Sequence, residues 1–194
     1  VMLNLRKCGH KDLERYYSLL EMDFAKEEII SKLSLHRALL NGSAELLVVY
    51  DEESSLEVAY ALVLTKNLYG YVLLKYMAVL PWYRGKGVGI AAMRLINKRY
   101  ADRQGIIAEL TSFEDEDGSM IKGLRKFFAR FGYVVVDSDY RIGAPVELMV
   151  KPIKGTFEIE PVEHRIIRDF YTRILNPFAM DKMIDIRPVR KPEE

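Results

Sequence analysis

The chain has 194 residues, of which 49% are hydrophobic and 29% charged, and its formal net charge is +1. Interspersed charges of near-zero sum exclude the basic face that nucleic acid or an anionic membrane surface would need. No apolar run approaches the roughly 20 residues that span a bilayer, no secretory leader pattern is visible, and the single Cys8 cannot form an internal disulfide. A cytoplasmic, core-forming chain is the expectation.

Residues 2–6 read as a short strand. Residues 12–20 place Leu13, Tyr16, Tyr17 and Leu20 at i, i+3, i+4 and i+7, the spacing of an amphipathic helix. A second helix is predicted over 26–40, with Ile29, Ile30, Leu33 and Leu40 on its apolar side and Asn41-Gly42 as its stop. His10 and His36 lie in or beside these helices without the neighbours that metal ligation would need. The period then changes. Residues 44–50, 56–64 and 71–79 are apolar, β-branched and aromatic runs with short connections, which predicts antiparallel hairpins. A helix over 88–100, a strand over 105–113, a helix over 120–131 ended by Gly132, and strands over 133–137 and 146–150 follow. The order β-α-α-β-β-β-α-β-α-β-β predicts an α/β fold, a mixed and mostly antiparallel sheet with helices on both faces.

Between the third hairpin strand and its helix stands Val79-Leu80-Pro81-Trp82-Tyr83-Arg84-Gly85-Lys86-Gly87-Val88-Gly89. Proline closes a strand because it has no N–H for the ladder. Three glycines in five residues allow a tight turn, and the helix start beyond them has unpaired N–H groups and a positive dipole end. Together these make an anion site, and phosphate is the anion such a loop suits. The spacing is neither the dinucleotide G-x-G-x-x-G nor the P-loop pattern.

Arg84-x-x-Gly87-x-Gly89, directly after Met77-Ala78-Val79-Leu80-Pro81, resembles the pyrophosphate-binding signature of the GCN5-related N-acetyltransferases (GNAT). The predicted element order resembles that family's fold over residues 1–152. The resemblance implies acetyl-CoA as co-substrate and no metal. Its pyrophosphate would sit on Arg84, Gly85, Lys86, Gly87, Val88 and Gly89, with the pantetheine along Met77, Ala78 and Val79. It implies further that the Val79 N–H polarises the thioester carbonyl, and it places Glu109 at the family's catalytic glutamate as the base that deprotonates the amine. From the residues alone, Glu109 stands mid-strand in Ile106-Ile107-Ala108-Glu109-Leu110, where an unpaired carboxylate is costly.

The family's usual acid, a tyrosine four residues before the glycine ending the fourth helix, is replaced by Phe128. Tyr133 and Tyr140 are packing or rim tyrosines by expectation. Glu114-Asp115-Glu116-Asp117 reads as a solvated acidic loop that would favour cationic amines if it rims the pocket. The implied activity is direct transfer of acetyl to a primary amine, on a small molecule or a protein amino terminus. The alternative is a non-catalytic acyl-CoA-binding or regulatory module of the same fold. A third reading is a structural interaction protein built on the terminal helix.

Residues 153–194 form an extension. Pro161 is placed to open a helix running to 175, with Val162, Ile166, Ile167, Phe170, Tyr171, Ile174 and Leu175 on one side and His164 as a solvated neighbour. That side must be covered by the same chain or by a second copy, and the expectation leans to a homodimer. Residues 187–194 are charged and expected to fray.

Overall fold

The apolar runs pair as their spacing predicts. The computed structural model describes residues 2–111, 118–136, 140–142, 144–155 and 162–186. Strands β1 (Leu3–Cys8), β2 (Ala44–Asp51), β3 (Glu57–Leu64) and β4 (Tyr71–Val79) form an antiparallel meander. Strand β5 (Gly105–Thr111) joins β4 in parallel, and β8 (Ala144–Pro152) pairs antiparallel on its far side. The short strands β6 (Val134–Val136) and β7 (Tyr140–Ile142) pair with β8, and β9 (Ile184–Ile186) pairs with β7. The sheet is mixed and mostly antiparallel, as the sequence predicts.

Helices cover both faces. On one face α1 (Leu13–Asp23), α2 (Lys32–Leu40) and α5 (Arg168–Thr172) pack against Leu46, Tyr60, Leu62, Leu73, Tyr76 and Ile107. On the other, α3 (Val88–Arg99) and α4 (Ser119–Ala129) cover Leu47, Val63, Val72, Leu74, Ile106 and Ala108. Glu45 of β2 fastens the end of α3 to the sheet, accepting hydrogen bonds from Arg99 (2.9 Å) and the Tyr100 hydroxyl (2.7 Å). Burial alone would push the Glu45 carboxyl up, but these bonds and the Arg99 charge bring it down to about 2. A folded-state value below the unfolded one means the latch is present above the usual carboxylate range and is lost as pH falls through that range toward 2. Glu45→Gln should therefore flatten part of the acid slope of stability between about pH 4.5 and 2, measured by denaturant melts at each pH.

The second helix is shorter than predicted. Lys26–Glu28 forms one 3₁₀ turn, the chain extends through 29–31, and α2 starts only at Lys32. Two local bonds set this break. The Ser31 side chain caps α2 by accepting from the Ser34 N–H, and the Ile30 N–H is taken by the buried Tyr76 hydroxyl at 2.9 Å. The helix consequently turns Leu35 and Ala38 inward, whereas Leu33 and Leu40, expected on the apolar side, are 60% and 57% exposed.

The tail also departs from expectation. A π-helical turn (Val162–Ile167) leads into α5, and Asn176-Pro177 starts a further helix, α6 (Pro177–Met183), with the Asn176 side chain accepting from the Ala179 N–H at 2.8 Å. Ile166, Ile167, Phe170, Tyr171, Ile174 and Leu175 are buried in the same cluster as α1 and α2. The Asn67 side chain donates to the Ile166 carbonyl (2.9 Å), and the Leu68 N–H donates to Asp169 (2.7 Å). The tail's apolar side is thus covered by its own chain, which corrects the leaning to a homodimer seam there. Pro161, the acidic run at 114–117, Tyr140 and His164 as side chains, and 187–194 lie outside what is described. Phe170→Ala should cost about 3–5 kcal/mol in chemical denaturation, and deleting 156–194 should abolish the cooperative melt rather than dissociate a dimer.

Candidate active site

The site arises where two neighbouring strands part. β4 and β5 pair only from Tyr71/Gly105 to Leu74/Ala108, although β4 continues to Val79 and β5 to Thr111. The register against β3 explains the parting: Val63 faces Leu74 but Leu62 faces Tyr76, so Lys75 is the extra residue of a β-bulge. A bulge bends and twists its strand. The Leu80 N–H bonds back to the Val58 carbonyl at 2.9 Å. By the alternation of an antiparallel ladder, the Met77 and Val79 amides face the gap, while Ala78 between them is turned to β3.

A pocket of about 470 Å³ runs through this gap. On the α3–α4 side its walls are Leu74, Met77, Leu110, Leu124, Phe127 and Phe128. On the other side lie Met22, Asp23, Phe24, Glu28, Lys75, Glu109 and Thr111. One mouth is therefore apolar and the other ionic.

At the ionic mouth Glu109 is not isolated. Its Oε2 lies 2.6 Å from Lys75 Nζ, the two side chains being 1% and 2% exposed. The Tyr171 hydroxyl of α5 donates its one hydrogen to this carboxylate, lying 2.7 Å from Oε1 and 2.9 Å from Oε2, and Lys75 Nζ stands 5.2 and 5.6 Å from the Tyr76 and Tyr171 rings. Sequence reasoning found Glu109 but missed both partners. Lys75 carried a readable signal, because it is the lone charge inside the apolar run 71–79, as Glu109 is inside 105–111. Tyr171 carried none; it was one apolar-side tyrosine among seven residues.

The glycine turn follows a 3₁₀ turn at Pro81–Tyr83. Gly85 and Gly87 have φ of +72° and +77°, which a side chain would strain, and nothing lies within 4 Å of either Cβ position. Gly87 caps α3, and among the described residues the N–H groups of 85–89 have no acceptor. Open space in front of a row of unpaired amides at a helix N-terminus fits a phosphate group. Gly89 is helical, and a Cβ there would make only ordinary contact with Val79 and Phe127, so neither backbone nor packing demands glycine at this position.

The turn's basic side chains point elsewhere. Arg84 Nε donates to the Val79 carbonyl at 2.9 Å and its guanidinium pairs with Asp23 at 2.7 Å, while Lys86 Nζ donates to the Trp82 carbonyl at 2.9 Å. Phe128 is buried in the pocket wall, edge-on to Phe127 and Tyr133. The Tyr133 hydroxyl is turned away to Asn97 at 2.9 Å, and burial holds it well above the usual tyrosine range. Among the described residues no three His, Cys, Asp or Glu side chains are grouped to hold a metal ion, and no helix is long and apolar enough to cross a membrane.

This architecture is the acyl-CoA N-acyltransferase (GNAT) fold. Residues 42–135 match the family model of the acetyltransferase (GNAT) domain. Similar solved structures include a protein assigned to the GNAT acetyltransferases from Bacteroides thetaiotaomicron, with 19% identity, TM-score 0.64, and 82% of this chain and 90% of that one covered. The spermidine N-acetyltransferase of Vibrio cholerae matches with 12% identity, TM-score 0.59 and coverage of 78% and 94%. NAA60 of Arabidopsis thaliana in complex with acetyl-CoA matches with 14% identity, TM-score 0.59 and coverage of 79% and 100%. No curated protein matches the sequence.

Breaking the buried pair from one side should be costly. Lys75→Ala should destabilise by about 3–5 kcal/mol, because it leaves a buried carboxylate without its cation, whereas the double variant Lys75→Met/Glu109→Leu should recover most of that. Tyr171→Phe should cost about 1–3 kcal/mol. A double-mutant cycle in chemical denaturation measures each.

Proposed function

We propose that the chain is an N-acetyltransferase that passes acetyl from acetyl-CoA directly to a primary amine, on a small molecule or a protein amino terminus, within a ternary complex. The observation that carries this reading is the gap between β4 and β5, where the strand that leads into the glycine turn parts from its neighbour beside a buried carboxylate. When bound, coenzyme A supplies the acetyl group as an activated thioester. The amides of 85–89 would hold its pyrophosphate. Arg84 and Lys86 would contribute charge nearby, each already giving part of its donor set to the Val79 and Trp82 carbonyls and to Asp23.

Met77 and Val79 would accept the pantetheine as an added strand, and the Val79 N–H would donate to the carbonyl oxygen that gains negative charge during transfer. An alkyl amine is mostly protonated near neutral pH, so one proton must leave before attack. Glu109 is the proposed receiver, at a carboxylate oriented by Lys75 and Tyr171. Protonating it weakens the Lys75 ion pair, so the two side chains act as one unit in this step. The free amine then forms its N–C bond as the thioester C–S bond breaks, and the coenzyme A thiolate leaves to take a proton from water, Phe128 having none to give.

The second reading, an acyl-CoA-binding module without turnover, is favoured by Phe128, which puts an apolar ring where a hydroxyl acid would stand. Binding and turnover separate the two. Gly87→Asp adds a strained backbone and a negative charge and should weaken acetyl-CoA binding at least 10-fold by calorimetry; wild-type affinity in this variant would remove the turn from the site. Glu109→Gln should lower kcat by about 10²-fold on an amine panel with thiol-release detection, with acetyl-CoA binding retained. A pH–rate profile unchanged in that variant would remove Glu109 from the mechanism. Acetyl-CoA binding without turnover on any amine would favour the second reading.

A further inference from the structure

We infer that Glu28 selects the acceptor, and that the acceptor it selects is a primary ammonium carried on an apolar body; this rests on the acetyl-transfer reading above. Three carboxylates line the ionic mouth of the pocket: Asp23, Glu28 and Glu109. Two have their own cation, Arg84 at 2.7 Å from Asp23 and Lys75 at 2.6 Å from Glu109. Glu28 has none among the described residues. It is nevertheless only 6% exposed. A charge buried that far without a counter-ion is costly, and a ligand that brings one relieves the cost.

The Glu28 carboxylate is also held in place. Its Oε1 accepts from the Ala25 N–H (3.0 Å) and its Oε2 from the Thr111 hydroxyl (2.5 Å). The Glu28 backbone carbonyl accepts from the buried Tyr76 hydroxyl at 2.7 Å. These partners are neutral and use one acceptor position on each oxygen, so each oxygen keeps capacity for an N–H donor. Thr111 and Glu109 lie two residues apart on one face of β5, about 7 Å along the strand. Glu28 and Glu109 therefore line the same end of the pocket, and the single nitrogen that Glu28 draws in is the one presented to the proposed proton receiver.

The walls define the rest of the ligand. Met22, Phe24, Met120 and Phe127 are thioether and aromatic surfaces, which bind hydrocarbon and offer no hydrogen bond to a sugar or a second polar head. An alkyl or arylalkyl amine, or a peptide amino terminus with an apolar first side chain, has that chemistry.

The test compares phenethylamine with 2-phenylethanol, the same body bearing an ammonium or a hydroxyl, by calorimetry on the full chain saturated with coenzyme A. Wild type should bind the amine at least 10-fold more tightly than the alcohol, and Glu28→Gln should bring the ratio close to one with coenzyme A affinity unchanged. Equal binding of the two by wild type overturns the inference, as does failure of the amine to bind at millimolar concentration. Neither result depends on how the variant folds. A variant that keeps the full preference overturns it as well. Failure of coenzyme A itself to bind is a different outcome, and it sinks the acetyl-transfer reading instead.

Discussion

The parting of β4 from β5 after Leu74 and Ala108 is the constraint on which the rest of the molecule depends. A parallel pair in a sheet covered on both faces normally leaves no polar edge exposed within it. Here the extra residue at Lys75 bends β4 away, and the amides of Met77 and Val79 are left facing a gap. That edge is affordable only because it is short and is lined by side chains from both cores. The same bulge resets the alternation of β4, so that Leu73 and Tyr76 share one core while Leu74 and Met77 share the other. One displaced residue thus opens the sheet, aims a lysine into the opening and keeps the strand's remaining side chains inside.

Electrostatics divides the opening into two halves. On the α3–α4 side the polar groups are backbone amides, whose partial charges are fixed by the helix start and by Gly85 and Gly87 at positive φ. On the α1–α2 side they are ionised side chains, each tied to a second element: Asp23 to Arg84 and Tyr60, Glu28 to Thr111, Glu109 to Lys75 and Tyr171. Such ties fix geometry before any ligand arrives, so little reorganisation is left for the moment of binding or reaction.

The C-terminal extension belongs to this arrangement. Its π-helical turn and α5 fill the core with Ile166, Ile167, Phe170 and Tyr171, and the last of these reaches Glu109 through its hydroxyl. A segment that the family profile over 42–135 does not include therefore both completes the hydrophobic core and orients the buried carboxylate. Stability and site geometry are coupled here, because the ring that packs and the hydroxyl that bonds are one side chain.

Local sequence determined a good deal by itself. Apolar, β-branched and aromatic runs located the strands of the meander and the 3.6 period located helix α1, since a sheet covered on both faces buries both sides of its strands whereas a helix buries one side. The order of proline, glycines and a helix start located the glycine turn, because backbone strain and missing N–H groups are properties of residue type. What the sequence could not display were relations between segments far apart along it. The break before α2 came from a hydroxyl 46 residues away, Tyr76 bonding Ile30. The cover of the tail came from its own chain, and helical periodicity records only that a face must be buried, not by what. Lys75 and Glu109 each stood alone in an apolar run, 34 residues apart, and only the register of β4 against β5, together with the bulge at Lys75, made them a pair. Tyr171 became a site residue for the same reason: a side chain's local spacing tells which face it lies on, and the tertiary fold alone decides what waits there.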